Sequence, residues 1–473
     1  MSNYNPQPDI WVDGGMIRST PVYVDGSPRV DHSTPTLIES FVIEWGRDNP
    51  WQQPDAATLK FVMFDPTGDW LQRIRNRNAI GKPVAILTRI NGADYTVFRG
   101  WTSDVDAEQD RGHTPDGWID GWRVAVTVAD PTAALGNIRI GAEQWPVETM
   151  LARAVKIRNR AAPAGIRQFY FDPNSNYPNG TTRAIELKDT DLAAVVRDFY
   201  TSFADQYAYH HHRNVVKRIP RKRLAITAFL RLVDVPGKLV APGLGDWHDP
   251  SGSEDPIDQQ AHPSATIDGS DVGAVLALGT DQLVDITRIE CTWKNGPGGW
   301  ADVTTVKQKP NSPDPQRTLA FQSWFGDGLQ VDPVVSKTYE KAILETALPN
   351  HPRITFDTRY TGGFQNWHQA ECLLTPSEDV RTVFVTGSPF AAAFDQLPVY
   401  SPSGGRIEFA DGDWRIDIDL TACSSSDPAP APAWSAVNQS IDWVQNGTGW
   451  AFTPGTSWAD LKWSNLTDVY PVD

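Results

Sequence analysis

Hydrophobic and polar residues alternate with a period of two along much of this chain, the spacing that sends successive side chains to opposite faces of a strand. Leu37-Ile38-Glu39-Ser40-Phe41-Val42-Ile43-Glu44-Trp45 opens the pattern and Gly46 closes it; residues 57–64 repeat it and stop at Asp65-Pro66. Residues 81–90 and 95–101 flank Asn91-Gly92, and both turn positions tolerate positive φ, so the segment predicts a hairpin. A further strand over 122–128 ends at Asp130-Pro131. These runs predict a β unit over 34–143. An arm precedes it, 1–33, whose Pro, Gly, Asp and Ser show little period and whose order is expected to depend on a neighbour.

The period then becomes helical. Trp145-Pro146-Val147-Glu148 suits a first turn, and Val147, Met150, Leu151 and Ala154 recur on one face, so a helix is expected from there to just before Ala162-Pro163. Asp189-Thr190-Asp191 offers capping oxygens to a second helix carrying Leu192, Val195, Val196, Phe199 and Phe203 on one face. Strand patterns follow over 207–223 and 224–230, and the Gly, Pro, Asp and Ser of 236–270 predict a long loop. Residues 144–275 are therefore expected to form a helix-containing mixed domain.

Strands resume at 285–293, where Ile289, Cys291 and Trp293 share a face before an Asn295-Gly296 turn. They continue over 303–308, 317–324, 353–360 and 381–386, with one helix over 337–347; residues 406–409 and 414–420 then form a hairpin around Ala410-Asp411-Gly412-Asp413. A second β unit is expected over 276–422. Residues 423–433 alternate Pro with small residues, an extended linker. The remaining 434–473 are too few to close a core, yet carry Trp434, Trp443, Trp450, Trp458 and Trp463, which are expected to dock on another surface.

Composition sharpens this reading. A chain of 473 residues divides into several domains, and 36 Gly, 37 Pro and 19 Trp against 4 Met and 3 Cys lean towards β structure. A formal net charge of -16 argues against general polyanion binding while leaving room for a local basic patch. Cys291, Cys372 and Cys423 are odd in number and lack C-x-x-C spacing, so neither a disulfide framework nor a cysteine metal site is indicated, and a reducing compartment fits. The N-terminus lacks the pattern of a signal peptide and no run of apolar residues is long enough for a transmembrane helix; no membrane insertion is expected.

Candidate chemistry is sparse. His210-His211-His212 precedes Arg213, Lys217, Arg218, Arg221, Lys222 and Arg223. Adjacent residues of a strand face opposite ways, so three consecutive histidines do not reach one metal; a solvated hairpin is expected, with Arg218, Arg221, Lys222 and Arg223 as contacts for an acidic partner or DNA. The other histidines, 32, 113, 248, 262, 351 and 368, show no H-E-x-x-H spacing, and there is no G-x-S-x-G, P-loop or strand-coupled G-x-G-x-x-G. Asp411, Asp413, Asp417 and Asp419 offer the carboxylates a glycosidase needs, but their places read as turn and outward strand positions. Asp172-Pro173-Asn174-Ser175-Asn176 begins like a Ca²⁺ loop, yet Tyr177 replaces the turn glycine and Arg183 the bidentate Glu, so a polar turn is expected. No catalytic residue, cofactor site or metal ligand is assigned.

Three stretches stand out together. The first is the opening β unit, with Phe41-Val42-Ile43-Glu44-Trp45-Gly46-Arg47, Gly81-Lys82-Pro83-Val84, Phe98-Arg99-Gly100-Trp101-Thr102-Ser103 and Val126-Thr127-Val128-Ala129-Asp130-Pro131. The others are the helix-then-strand segment from Asp189 through Tyr207 and the Trp458-Ala459-Asp460 element. With these the chain resembles hub or minor tail proteins of long-tailed (siphovirus-type) phages of actinobacteria, relatives of contractile-tail baseplate hubs. The resemblance implies two β-barrels from each of three subunits in a pseudo-sixfold ring continuing the tail tube, with a mixed domain below.

The expectation is thus a mainly β, β-dominated α+β chain of several domains: two β-barrel-like units, a helix-containing domain between them and an extended C-terminal tail. It is expected to be a structural virion protein and not an enzyme, made in the host cytoplasm and placed at the tail tip. Its expected partners are two further copies of itself and neighbouring tail proteins, among them a distal tail ring, a tape measure and fibre or spike proteins, with DNA passing transiently through the lumen. The rival readings are a carbohydrate-binding host-adhesion module and, lowest, a cell-wall hydrolase.

Overall fold

The computed structural model describes residues 4–13, 15–18, 22–24, 27–29, 37–47, 51–114, 117–166, 168–169, 181–202, 205–220, 264–268, 274–277, 286–296, 301–310, 317–347, 353–377, 382–386 and 399–424. The first β elements are β1 (Pro8–Val12), β2 (Gly15–Arg18), β3 (Leu37–Gly46), β4 (Asp55–Asp65), β5 (Pro83–Ile90), β6 (Ala93–Thr114) and β7 (Gly117–Ala129), with a short helix α1 (Asp69–Arg75) after β4. Helices α2 (Met150–Ala161) and α3 (Leu192–Thr201) lead to the hairpin β8 (Asp205–His210) and β9 (Val215–Pro220). Then come β10 (Ser264–Asp268), β11 (Ala274–Ala277), β12 (Arg288–Asn295), β13 (Ala301–Gln308), β14 (Thr318–Gln322) and α4 (Gly328–Ala347). The last are β15 (Arg353–Asp357), α5 (Trp367–Leu373), β16 (Thr382–Thr386), β17 (Val399–Ala410) and β18 (Asp413–Ser424).

A 13-stranded, largely antiparallel sheet dominates, in the order β2-β1-β5-β6-β7-β4-β3-β17-β18-β15-β11, with β10 and β16 attached beside β17. One parallel residue pair, Arg18 with Leu37, also links β2 to β3; a single pair is too little to make a closed barrel. The alternation foreseen in the sequence is what buries the sheet's inner face: Phe41, Ile43, Leu59, Phe61, Val124, Val126, Ile407, Phe409, Ile416 and Ile418 are all buried in one core. Two tight turns match their sequences, since Asn91 and Gly92 have φ of 52° and 78° and Asp411 and Gly412 have 55° and 88°.

This sheet draws strands from both of the β units expected over 34–143 and 276–422. The join is made by β3 and β17, paired from Ser40↔Ala410 to Gly46↔Gly404. Close approach there requires glycine: a Cβ on Gly46, whose φ is +102°, would lie 2.1 Å from the Gly404 Cα. Strands β12, β13 and β14 form a separate three-stranded sheet, and their inward residues Ile289, Cys291 and Trp293 pack in a second core with α2, α3 and α4. Part of the expected arm also belongs to the body, because β1 pairs with β5 and buries Ile10 and Val12.

Helix boundaries differ from expectation in two places. Trp145 and Glu148-Thr149 lie in short strands, and α2 starts at Met150, where Thr149 Oγ1 accepts the Ala152 amide at 3.2 Å; Val147 is left exposed. The cap, not Pro146, sets the start. Helix α4 begins well before residue 337 and carries Pro333 inside it. Helix α3 starts as its sequence predicts, with Asp191 Oδ1 accepting the Ala194 amide at 2.8 Å and Leu192, Val195, Val196 and Phe199 buried. Among the described residues no helix is long and apolar enough to cross a membrane.

Candidate functional site

The two cores meet around β8 and the turn that follows it. Tyr207 and Tyr209 alternate inward from β8 into the second core, and the same period of two carries on to His211. The loop before β4 reaches across from the other side: Trp51 is buried in the second core, Gln53 Nε2 donates to Thr201 Oγ1 at 3.1 Å, and its Oε1 accepts the Tyr207 amide at 3.2 Å. Gln206 Nε2 donates to the Gln52 carbonyl at 2.8 Å.

At the turn, the histidines take over. The His211 ring stacks on Phe98 with centroids 4.6 Å apart and planes at 27°, and the His212 ring stacks on Tyr95 at 4.4 Å and 16°. His211 Nδ1 accepts the Arg99 amide at 3.1 Å and His212 Nδ1 accepts the Thr96 amide at 3.0 Å. Tyr209 meets the His211 ring edge-on at 4.8 Å. The turn itself is shaped by Asn214, which has φ of 58°, accepts from the Tyr209 hydroxyl at 2.6 Å and donates to the Gly165 carbonyl at 3.0 Å.

Burial, reinforced by the Arg99 guanidinium, pushes the His211 imidazole down to about 3; burial, then Arg213 and Arg99, push His212 down to about 4. Both rings are therefore neutral at neutral pH, as an Nδ1 acceptor requires. The expected solvated hairpin is corrected here: His210 and His211 are buried and His212 is half-buried. The sequence did carry a signal, the period Tyr207, Tyr209, His211, but the aromatic partners Tyr95 and Phe98 lie more than a hundred residues away.

Beside this junction a small cleft is lined by Trp45, Asp55, Asp130, Tyr207, Tyr209 and Ser377, among others. Asp130 is buried, and desolvation raises its carboxyl to about 6 despite amide bonds from Ala57 and Thr132 at 2.9 and 2.8 Å. It caps the turn that leaves β7. Deeper in the second core, Arg153 lies between Trp145 and Trp324, each 5.5 Å from the guanidinium carbon, and its Nε donates to Glu148 at 2.7 Å. Glu148 also holds Lys156, 2.9 Å from both carboxylate oxygens.

Of the predicted contact residues only Arg218 is described. Arg218 lies in β9 opposite Tyr207; Arg221, Lys222 and Arg223 lie outside the described residues, as do Trp434, Trp443, Trp450, Trp458, Trp463 and the 172–176 segment. The acidic run of the last hairpin is used locally: Asp413 accepts from Thr358 Oγ1 at 3.0 Å, Asp417 from Thr355 Oγ1 at 2.5 Å, and Asp419 pairs with Arg353 at 2.7 Å. No described group of three or more His, Cys, Asp or Glu is placed to hold a metal ion.

No protein-family model matches this chain, and no curated protein matches it by sequence. Among solved structures, the tail protein from Neisseria meningitidis MC58 is 12% identical with a TM-score of 0.45, covering 88% of this chain and 97% of its own. The 43 kDa tail protein of prophage MuSo2 from Shewanella oneidensis is 10% identical with a TM-score of 0.47, covering 89% and 100%. An E. coli component of the type VI secretion system, described as structurally similar to T4 bacteriophage tail proteins, is 11% identical with a TM-score of 0.43, covering 84% and 78%. Likenesses this distant assign neither family nor function.

Proposed function

We propose that this chain is a structural subunit of a phage tail tip: three copies form a ring that continues the tail tube and joins it to fibre or spike proteins. The observation that carries the reading is where the buried titratable side chains point. Asp65 accepts the amides of Thr67, Gly68 and Trp70, Asp130 those of Ala57 and Thr132, and His211 and His212 those of Arg99 and Thr96. Each holds backbone in place, Asp130 doing so at the wall of the small cleft, and this is the pattern of a scaffold. The sequence resemblance supplies the address, and one continuous sheet joins residues 8–12 to the last hairpin, so distant parts of the chain share it.

In this reading the tryptophans at 434, 443, 450, 458 and 463 dock the tail on a neighbouring tail protein, and Arg218, Arg221, Lys222 and Arg223 meet an acidic partner or passing DNA. Six described tryptophans, Trp51, Trp70, Trp145, Trp293, Trp324 and Trp414, are instead buried in the cores. Native mass spectrometry of the full chain, followed by electron microscopy, tests the ring: trimers with a central opening support it, and a persistent monomer at high concentration contradicts it.

A further inference from the structure

We propose that His211 and His212 form an acid-releasable cap on an otherwise open strand edge, latching the helix-bearing core to the large sheet. The edge belongs to β6. From Trp101 onward that strand pairs with β7, starting at Trp101↔Ala129, and before Trp101 it pairs, among the described residues, with β5 alone. Amides on its other side in this part would meet no described strand, a row of the kind that invites unwanted pairing when exposed.

Thr96 and Arg99 are three residues apart, so in a regular strand their amides would point to opposite edges. The pairing with β5 shifts by one residue between Phe98↔Ile86 and Thr96↔Leu87, which leaves Val97 as an extra residue. That bulge turns both amides to the same side, where the two imidazoles sit. The cap thus matches an irregularity in the strand it covers.

An Nδ1 lone pair accepts each amide, so binding a proton removes the acceptor and sets N–H against N–H. The charged groups facing the rings are Arg99 and Arg213, both cationic, and Arg99 Nη2 also donates to the His212 carbonyl at 3.4 Å. Tyr95, Phe98 and Tyr209 supply the ring contacts, and Asp130 is felt by Tyr209. Nothing in this set compensates an imidazolium. Because both folded values lie below the free value of 6.5, the cap contributes its full stability above pH 6.5 and loses it as the pH falls, His212 near 4 and then His211 near 3. The Gln53–Thr201 and Gln206–Gln52 contacts do not titrate, so release is local.

Amide hydrogen exchange on the full chain, corrected for the intrinsic rate, reads the cap at Thr96 and Arg99. Val126, in the centre of the sheet between β4 and β6, reports global unfolding. The expected result is that Thr96 and Arg99 lose protection by about tenfold or more as the pH falls through the histidine values while Val126 stays protected. The double variant H211N/H212N keeps an acceptor near each Nδ1 position and binds no proton, so its protection at these amides should not change with pH. Wild-type amides that stay protected at pH 3, or that open only together with Val126, overturn the proposal. So does an H211N/H212N profile that falls in step with wild type. Should that variant not fold, the wild-type comparison of Thr96 and Arg99 with Val126 still decides.

Discussion

His211 and Arg99 meet through a backbone amide: the Arg99 N–H donates to His211 Nδ1 at 3.1 Å, with the imidazole stacked on Phe98 next door. One side chain thereby fixes both the direction of a strand edge and the position of the hairpin β8–β9. Stacking and acceptor act together, so the two are separable by substitution. His211→Phe keeps the ring contact and leaves the Arg99 amide without its acceptor, at a cost of about 1–3 kcal/mol. His211→Ala loses the ring as well and should cost more. Chemical denaturation of both variants checks the order; equal losses would assign the whole effect to the hydrogen bond, and a Phe variant as stable as wild type would assign it to packing.

The acid limb of stability has a defined window. A neutral buried histidine whose folded value lies below 6.5 makes the unfolded chain the better proton acceptor, so stability falls as pH drops below 6.5 and continues falling towards 3. Asp130 acts in the opposite sense. Its raised value of about 6 means that the folded state gains relative stability as the pH falls from above 6 towards the ordinary carboxylate range. Asp130→Asn removes this opposing gain, so the acid fall should become steeper between pH 6 and the ordinary carboxylate range, as read by urea midpoints across pH.

Arg153 is fully buried between two indoles and paired with Glu148. Arg153→Ala should cost about 3–5 kcal/mol, because it removes the pair and the packing together. Arg153→Met keeps the stem, and Glu148 retains Lys156, so the loss should be clearly smaller. Thermal unfolding of both ranks them. An Arg153→Met variant as damaged as Arg153→Ala would mean that the charge, not the fill, holds this core.

The join between β3 and β17 depends on Gly46. Gly46→Ala forces a positive φ and a contact with the Gly404 backbone, and should cost on the order of 3 kcal/mol. Protection in β17 and β18 should fall with it. A neutral Gly46→Ala would contradict the continuous sheet.

How much of this was legible in the sequence follows from the range of the interactions. The runs around Phe41-Val42-Ile43, the Asn91-Gly92 and Asp411-Gly412 turns and the Asp191 cap are local, and the structure places them as read. Trp145 and Val147 misled because a one-face pattern is shared by a helix and by the short strands that precede α2. The pairing of β3 with β17 links positions more than three hundred residues apart, and nothing in either strand's alternation names its partner. His211 and His212 were conspicuous as a cluster, yet their role is set by a bulge at Val97 on a distant strand. Chemistry was visible; its address was not.

Removing residues 425–473 tests the tail separately. The body should remain folded and soluble, since both cores lie within residues 10–420. Attachment to a neighbouring tail protein should be lost, and replacing Trp443 and Trp450 by Ala should weaken it in part. Pull-down from disrupted particles measures this; full retention by the truncated chain would remove the docking role.

The central claim is a place in an assembly, and the most direct measurement is cryo-electron microscopy of the native particle that carries this chain. The account predicts its density at the tail tip, three copies around the tube axis. Finding the chain absent from the particle, or present as a single copy away from the axis, would contradict it.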